Sequence, residues 1–426
     1  MAKTESNNEP KNPRKNSWKL NPLTLQILIA FFLALIVGYV LHQGKSNAVN
    51  IEIIRYLEIP KILVINALKV LAFPLVFVIL VRTFVNDDTA NSIGSNLRRL
   101  AILLLTNSIV AAIIGFLVVY FLPFVKPEGI PVGKKQDIPD FNILPQSILE
   151  PFLTSNVIQI IILAICLGII ARRIKGEQIR KNRKDYLPFL QIIEAFYKAF
   201  ILIVKWVITL LPLAVFAIVS TTVADKGLAT FQSLSGIIFA ILAGFFLQGC
   251  YYLIRLQFSS KIKPTDFLIK AKDAFLTAFG TSSGIVTSPT TKKVLGDMGI
   301  REAFTQLGAY IIVNFNKDAT AMSLVMSALY ISKITQHELD PRKYLILISL
   351  SVVLSMITLS VPNGGMAGVI LLFQAVGLDP TDFFTYVLPV EWFLDMFRTV
   401  INVMGNMTTV ALLEGKTLGS MTDEPN

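Results

Sequence analysis

Long apolar stretches separated by short polar ones organise this chain. Six of them, at residues 23–43, 61–85, 100–123, 156–171, 198–222 and 235–254, approach or exceed the roughly 20 residues a helix needs to cross the hydrocarbon core. The first follows a polar tail of 22 residues and shows no small-residue cleavage pattern. It reads as a retained helix, not a signal peptide. The last third breaks the pattern. Residues 266–301 are apolar but interrupted by Gly280, Ser282, Ser283, Gly284 and Pro289, and residues 344–378 by Pro362, Asn363, Gly364 and Gly365. Between them runs "LGAYIIVNFNKDATAMSLVMSALYI", apolar except for a lysine and an aspartate side by side at its middle. A final helix is expected at about residues 382–413.

The charges order these segments. Lys3, Lys11, Arg14, Lys15 and Lys19 place the N-terminus on the cytoplasmic side. Six crossings then put the basic run Arg172–Lys184, and later Arg255, Lys261 and Lys263, on that same side. A full crossing by residues 266–301 would expose Lys292, Lys293 and Arg301 on the wrong side, so the charge rule favours a re-entrant hairpin. Residues 344–378 read as a second hairpin entering from the opposite face. Ordinary kinks in spanning helices would not remove the charge violation. Interrupted backbone within a membrane survives only when buried in protein or lining a cavity. Paired interruptions in corresponding positions point to a transporter binding site. The expected fold is therefore all-α and polytopic, with eight transmembrane helices, two re-entrant helical hairpins and inverted repeats.

Composition adds little to this picture but removes alternatives. The chain is 54% hydrophobic and 16% charged, which is not a soluble profile. Cys166 and Cys250 lie in apolar helices and define no disulfide framework, and His42 and His337 lie far apart. No cofactor and no transition-metal site is expected. The net charge of +11 is that of basic cytoplasmic loops, with no nucleic-acid partner implied.

The candidate chemistry lies in the last helix, "PVEWFLDMFRTVINVMGNMTTVAL". At about 100° per residue, Glu391, Asp395, Arg398, Thr399, Asn402 and Asn406 form one polar stripe about 100° wide. Arg398 offers a planar fork suited to a carboxylate. Asp395 can accept hydrogen bonds from an ammonium. Together they suit a ligand carrying both groups. A simple i,i+3 salt bridge would not require the rest of the stripe. Ionisable residues at membrane depth are functional candidates by default, which singles out Lys317 and Asp318. On a regular helix Asn314, Lys317 and Asp318 share a face, while Asn316 and Thr320 do not. Local unwinding would bring them together and free carbonyls for a cation. No nucleophile–base pair accompanies these residues, so an enzyme is not expected.

The motifs in their order resemble the glutamate transporter homologue family, the dicarboxylate/amino acid:cation symporters, over about residues 23–415. The corresponding stretches are "TSSGIVTSP", "NKDAT" (Asn316–Thr320), "VPNGG" and "DMFRTVIN" (Asp395–Asn402). The resemblance implies a homotrimer in the plasma (inner) membrane with an elevator mechanism. Residues 1–22 and 417–426 would be cytoplasmic tails. Residues 23–222 would hold helices one to five, mostly scaffold, with helix three joining the transport domain. Residues 223–416 would hold that domain: helix six, hairpin 1, helix seven, hairpin 2 and helix eight. By position, Arg398 would take a side-chain carboxylate and Asp395 the amino group of an acidic amino acid. Thr399, Asn402 and Thr320, with backbone at Ser283, Val361 and Gly365, would complete the site.

Departures from the family pattern cluster at its cation positions. Asn406 stands where sodium-coupled members carry aspartate, Lys317 where they carry methionine, and Asn314 where threonine is usual. Asn316 and Asp318 remain. The first-hairpin spacing from Ser-Gly to proline is two residues longer, which leaves the correspondence of Ser283 open. The expectation is that the Lys317 ammonium stands in or near a cation site and that Asn406 is the compensating loss of negative charge. The coupling ion, Na+ or H+, stays open, as does exchange. A C4-dicarboxylate is the second substrate class, and a channel or receptor role ranks below a carrier.

Overall fold

The computed structural model describes residues 22–44, 48–85, 97–122, 145, 147–154, 156–228, 230–337, 339–358 and 364–415, and these are all-helical. Five of the described helices are long and apolar enough to cross a membrane, from Leu25–Gln43 to Leu234–Ser259. Helix α1 spans Pro22–Gln43, α2 Ala48–Val85 and α3 Leu97–Phe121. Helices α4 (Val157–Arg180), α5 (Leu187–Thr209), α6 (Leu211–Lys226) and α7 (Thr230–Ser259) follow. Both terminal tails and the Pro/Gly-rich loop at 126–142 lie outside the described residues.

Hydropathy misplaced several boundaries, because an α-helix is held by its i→i−4 bonds and not by apolarity. Helix α2 begins at Ala48, not at residue 61, and continues through Pro60 and Pro74. At 1.5 Å per residue its 38 residues extend about 57 Å, well beyond a hydrocarbon core of about 30 Å. Helix α4 carries on past residue 171 through Arg172, Arg173 and Lys175, so part of the expected basic loop is helical. The run at 198–222 is two helices meeting at Leu210. Pro212, in the first turn of α6, has no N–H to continue the ladder. The expected last helix likewise divides at Val387.

Both interrupted segments are helical hairpins. Helix α8 (Pro264–Thr281) turns through Ser282 and Ser283 into α9 (Gly284–Asp297), against which it packs. Ser282 has φ 48°, a left-handed conformation uncommon for a non-glycine residue. The second pair is α12 (Pro341–Ile357) and α13 (Met366–Val376), also in contact with each other. Residues 359–363 of its tip, including Val361, lie outside the described residues.

Between the hairpins the chain is broken, as unwinding requires. Helix α10 (Glu302–Gln306) passes into a π-helical stretch, Leu307–Ile312, and a last turn, Val313–Phe315. Asn316 (φ −86°, ψ 95°) and Lys317 (φ −130°, ψ 54°) are non-helical. Helix α11 (Asp318–Ile334) then begins and is buried almost throughout. Helix α14 (Pro380–Tyr386) precedes α15 (Leu388–Glu414).

Helix α11 packs on α3, α15 on α7 and α8, and α2 on α4, α5, α6 and α13. Two apolar cores result. The larger is built on α2, α6, α11, α12 and α13. The smaller joins α8, α9 and the second half of α15 to parts of α3 and α7. Met356 and Ile401 touch both. Ile36, Val70, Trp206 and Phe246 are each more than 60% exposed, an apolar exterior suited to lipid.

Candidate functional site

The two hairpin tips, the break at Asn316–Lys317 and α15 meet around one cavity. Its walls are Ser282 and Gly284 of the first hairpin, Lys317 and Thr320 of the broken helix, and Thr358, Gly364 and Gly365 of the second hairpin. Helix α15 contributes Asp395, Arg398, Thr399, Asn402 and Asn406. The polar stripe of the last helix thus faces inward, as its periodicity indicates. The cavity is only about 40 Å³, against roughly 300–1,000 Å³ for ordinary small-molecule pockets.

Arg398 is 5% exposed and organises the acidic side. Its Nη2 donates to Glu391, one turn further away than Asp395, and lies 3.1 Å from Asp395 Oδ1. Its Nε, also buried, has no hydrogen-bond partner among the described residues. A β-carbon at Gly365 would lie 3.6 Å from Nη1 and 3.7 Å from the Thr320 methyl. The second hairpin's glycine therefore brings its backbone against the guanidinium. One edge of the fork is held by protein carboxylates, and Arg398 lines the cavity. Charge-assisted bonds of this kind are among the stronger ones in proteins.

Asn402 joins two elements. Its Oδ1 accepts from Ala319 N at 3.0 Å and its Nδ2 donates to Thr320 Oγ1 at 3.2 Å. It thereby satisfies a backbone N–H in the buried first turn of α11 from a neighbouring helix and bonds Thr320. Thr399 Oγ1 donates back to the Asp395 carbonyl at 2.8 Å.

Lys317 is 4% exposed. Its ammonium donates to the carbonyl of Thr358, the residue that ends α12. Among the described residues it pairs with neither Asp318 nor Asp395, so a structural ion pair does not account for it. Asp318 belongs to a separate, fully buried cluster. Ser108 Oγ donates to Oδ1 at 2.7 Å and Tyr252 Oη to Oδ2 at 2.5 Å. With its amide nitrogen toward Asp318, Asn316 donates to both oxygens at 3.2 Å and accepts from Asn406 N at 3.1 Å. Only that orientation pairs donors with acceptors.

The structure gathers Arg398, Asp395, Thr399, Asn402, Thr320 and Gly365 at the cavity, with Lys317 and Asn406 on its wall. Ser283 instead caps α9 by accepting from Val286 N, while its neighbours Ser282 and Gly284 line the cavity. Asn314 points away, exposed, its amide bonded to the Tyr310 carbonyl. The break at Asn316 releases it from the face that a regular helix would give it. The hydropathy pattern alone does not single out Ser108 or Tyr252. Thr106, Asn107 and Ser108 inside an apolar run were a legible signal; Tyr252 was not.

An all-helical protein with several helices able to span a membrane, whose interrupted segments line one cavity with buried charged residues, has the architecture of a membrane transporter. Residues 23–415 match the sodium:dicarboxylate symporter family, and the chain belongs to it. This is a family of transporters and not of enzymes. The chain is 24% identical over 264 residues to neutral amino acid transporter A of Bos taurus, covering 61% of this chain and 48% of that one. It is 24% identical over 264 residues to excitatory amino acid transporter 1 of Ambystoma tigrinum, covering 61% and 47%. It is 23% identical over 409 residues to the L-cystine uptake protein TcyP of Bacillus licheniformis, covering 90% and 87%. The matches span about half the length of the first two relatives and most of the third.

Proposed function

We propose that this protein is a secondary carrier of acidic amino acids, aspartate or glutamate. In this reading it has eight spanning helices and two re-entrant hairpins, lies with both termini in the cytoplasm, and works as a homotrimer by elevator motion. The observation that carries the substrate class is Arg398. Its guanidinium is buried at the cavity, with Nε unpartnered among the described residues and Asp395 one turn away. A carboxylate satisfies the guanidinium and an ammonium complements Asp395. Gly364–Gly365 at the second tip supply backbone that can move beside the cavity. A C4-dicarboxylate is the second reading, favoured by the presence of both Lys317 and Arg398 on the wall, but it brings no amino group for Asp395.

The contact between Lys317 and Thr358 supports sodium-independent transport. The carbonyl end of a helix favours a cation, and here the chain's own ammonium is bonded there. Uptake would then be uncoupled, exchange-type or proton-driven. Purified protein in liposomes tests both claims. Labelled aspartate should enter with or without a sodium gradient, and unlabelled aspartate should compete better than succinate. Better competition by succinate would replace the substrate class. Strict sodium dependence would overturn the coupling claim, as would a Lys317→Met variant with the sodium response of the wild type.

A further inference from the structure

The cluster around Asp318 is distinct from the substrate contacts. Asp318 is 0% exposed and opens α11. A buried carboxylate is costly unless its lone pairs are engaged. Among the described residues its hydrogen-bond partners are neutral donors: the Ser108 hydroxyl, the Tyr252 hydroxyl and the Asn316 amide. Among the described residues no cation lies within ion-pair distance of it. The Tyr252 contact, at 2.5 Å, is in the short range of charge-assisted O–H···O⁻ bonds.

Tyr252 reaches this position through a gap in α15. It is itself fully buried. A β-carbon placed on Gly405 would lie 2.6 Å from its hydroxyl oxygen and 2.8 Å from the Asn316 amide. Only glycine at 405 allows the ring of α7 and the broken helix to converge on Asp318. Asn406 follows directly and meets Asn316 with its backbone N–H. One turn beyond Tyr252, the Arg255 guanidinium bonds to Asn107 Oδ1 and, at 3.0 Å, to Tyr251 Oη. Asn107 is the chain neighbour of Ser108, so a tethered positive charge sits behind the cluster.

From this geometry we infer that the Tyr252 hydroxyl, admitted by Gly405, fills the place beside Asp318 that a monovalent cation would otherwise take. A hard cation needs several oxygen lone pairs directed at one point. Here both Asp318 oxygens are already engaged, Oδ1 by the Ser108 hydroxyl and Oδ2 by the Tyr252 hydroxyl, with the Asn316 amide donating to both. Tyr252 is thus the residue that closes this position to ions, with Arg255 supplying standing positive charge from a fixed side chain. This deepens the sodium-independent reading above by adding a second, independent position where protein replaces ion.

Removing the hydroxyl should reverse the replacement. Tyr252→Phe keeps the ring and leaves Asp318 Oδ2 with the Asn316 amide, at 3.2 Å, in place of the short hydroxyl bond. The purified variant should bind radiolabelled sodium saturably. Its melting temperature should rise by about 2 °C between choline chloride and a sodium concentration well above the dissociation constant. The wild type should do neither. Gly405→Ala, which displaces the hydroxyl while retaining it, should show the same gain. Sodium binding and melting response in Tyr252→Phe equal to those of the wild type overturn the inference. Saturable sodium binding to the wild type that Asp318→Asn abolishes also overturns it, and requires neither Tyr252→Phe nor Gly405→Ala to fold. Neither measurement uses a transport substrate. Failure to move acidic amino acids therefore leaves this test intact, and failure of the cation gain leaves the substrate reading intact.

Discussion

Arg398→Gln separates a ligand-binding arginine from a structural one. At the cavity Arg398 serves two buried carboxylates, Glu391 and Asp395, the latter at 3.1 Å. Removing one partner of a buried ion pair costs about 3–5 kcal/mol, because the other charge is left uncompensated. Here two acids are left, so the upper part of that range is expected. The cost should appear as a lower melting temperature of the purified protein, followed by intrinsic fluorescence. Substrate binding loses a different quantity. Two charge-assisted hydrogen bonds at about 1.5–3 kcal/mol each amount to a 10²- to 10⁴-fold loss of aspartate affinity at 1.4 kcal/mol per tenfold. The double variant Glu391→Gln, Arg398→Gln divides the two effects. It removes one stranded acid, so stability should return in part while affinity stays low. If Arg398→Gln loses stability but binds aspartate within threefold of the wild type, Arg398 is a structural residue and the substrate argument fails.

Three further outcomes follow from the same geometry. Asp395→Asn should weaken aspartate at least tenfold while changing succinate binding much less, as read by competition for uptake, because only the amino acid brings an ammonium. Asn402→Ala removes the cross-helix cap on Ala319 N and the donor to Thr320. It should lower stability by about 1–3 kcal/mol in denaturant titration and reduce substrate affinity with it. Gly308→Ala places a methyl 2.2 Å from a Val410 side-chain carbon, an overpacking cost of about 1–3 kcal/mol that should appear in thermal inactivation without altering the ratio of aspartate to succinate binding.

Much of this architecture could be read from the chain before any coordinates. Spans showed as apolar length, because lipid leaves no other partner for side chains or backbone. The two hairpins showed as Gly, Ser and Pro inside apolar runs. The stripe on α15 showed as a period of 3.6, and it faces the cavity as that period requires. Boundaries were less legible. Helices α2 and α4 run on through charged turns that hydropathy excludes, and α5 and α6 divide at a proline that hydropathy ignores. A regular helix puts Asn314 on one face with Lys317, and the break at Asn316 separates them.

The sequence by itself determined which residues carry charge into the membrane and on which faces of regular helices they lie. It also showed that Lys317 and Asn406 depart from the family pattern, since that is a matter of identity alone. Only the tertiary structure decided what each charge meets. Lys317 meets the Thr358 carbonyl, 41 residues away along the chain. Asp318 meets Ser108 and Tyr252, 210 and 66 residues away. Contacts between helices depend on crossing points and on small gaps such as the missing β-carbon at Gly405. No periodicity within one helix encodes them. Whether a buried charge is balanced by an ion or by the protein is a property of that packing.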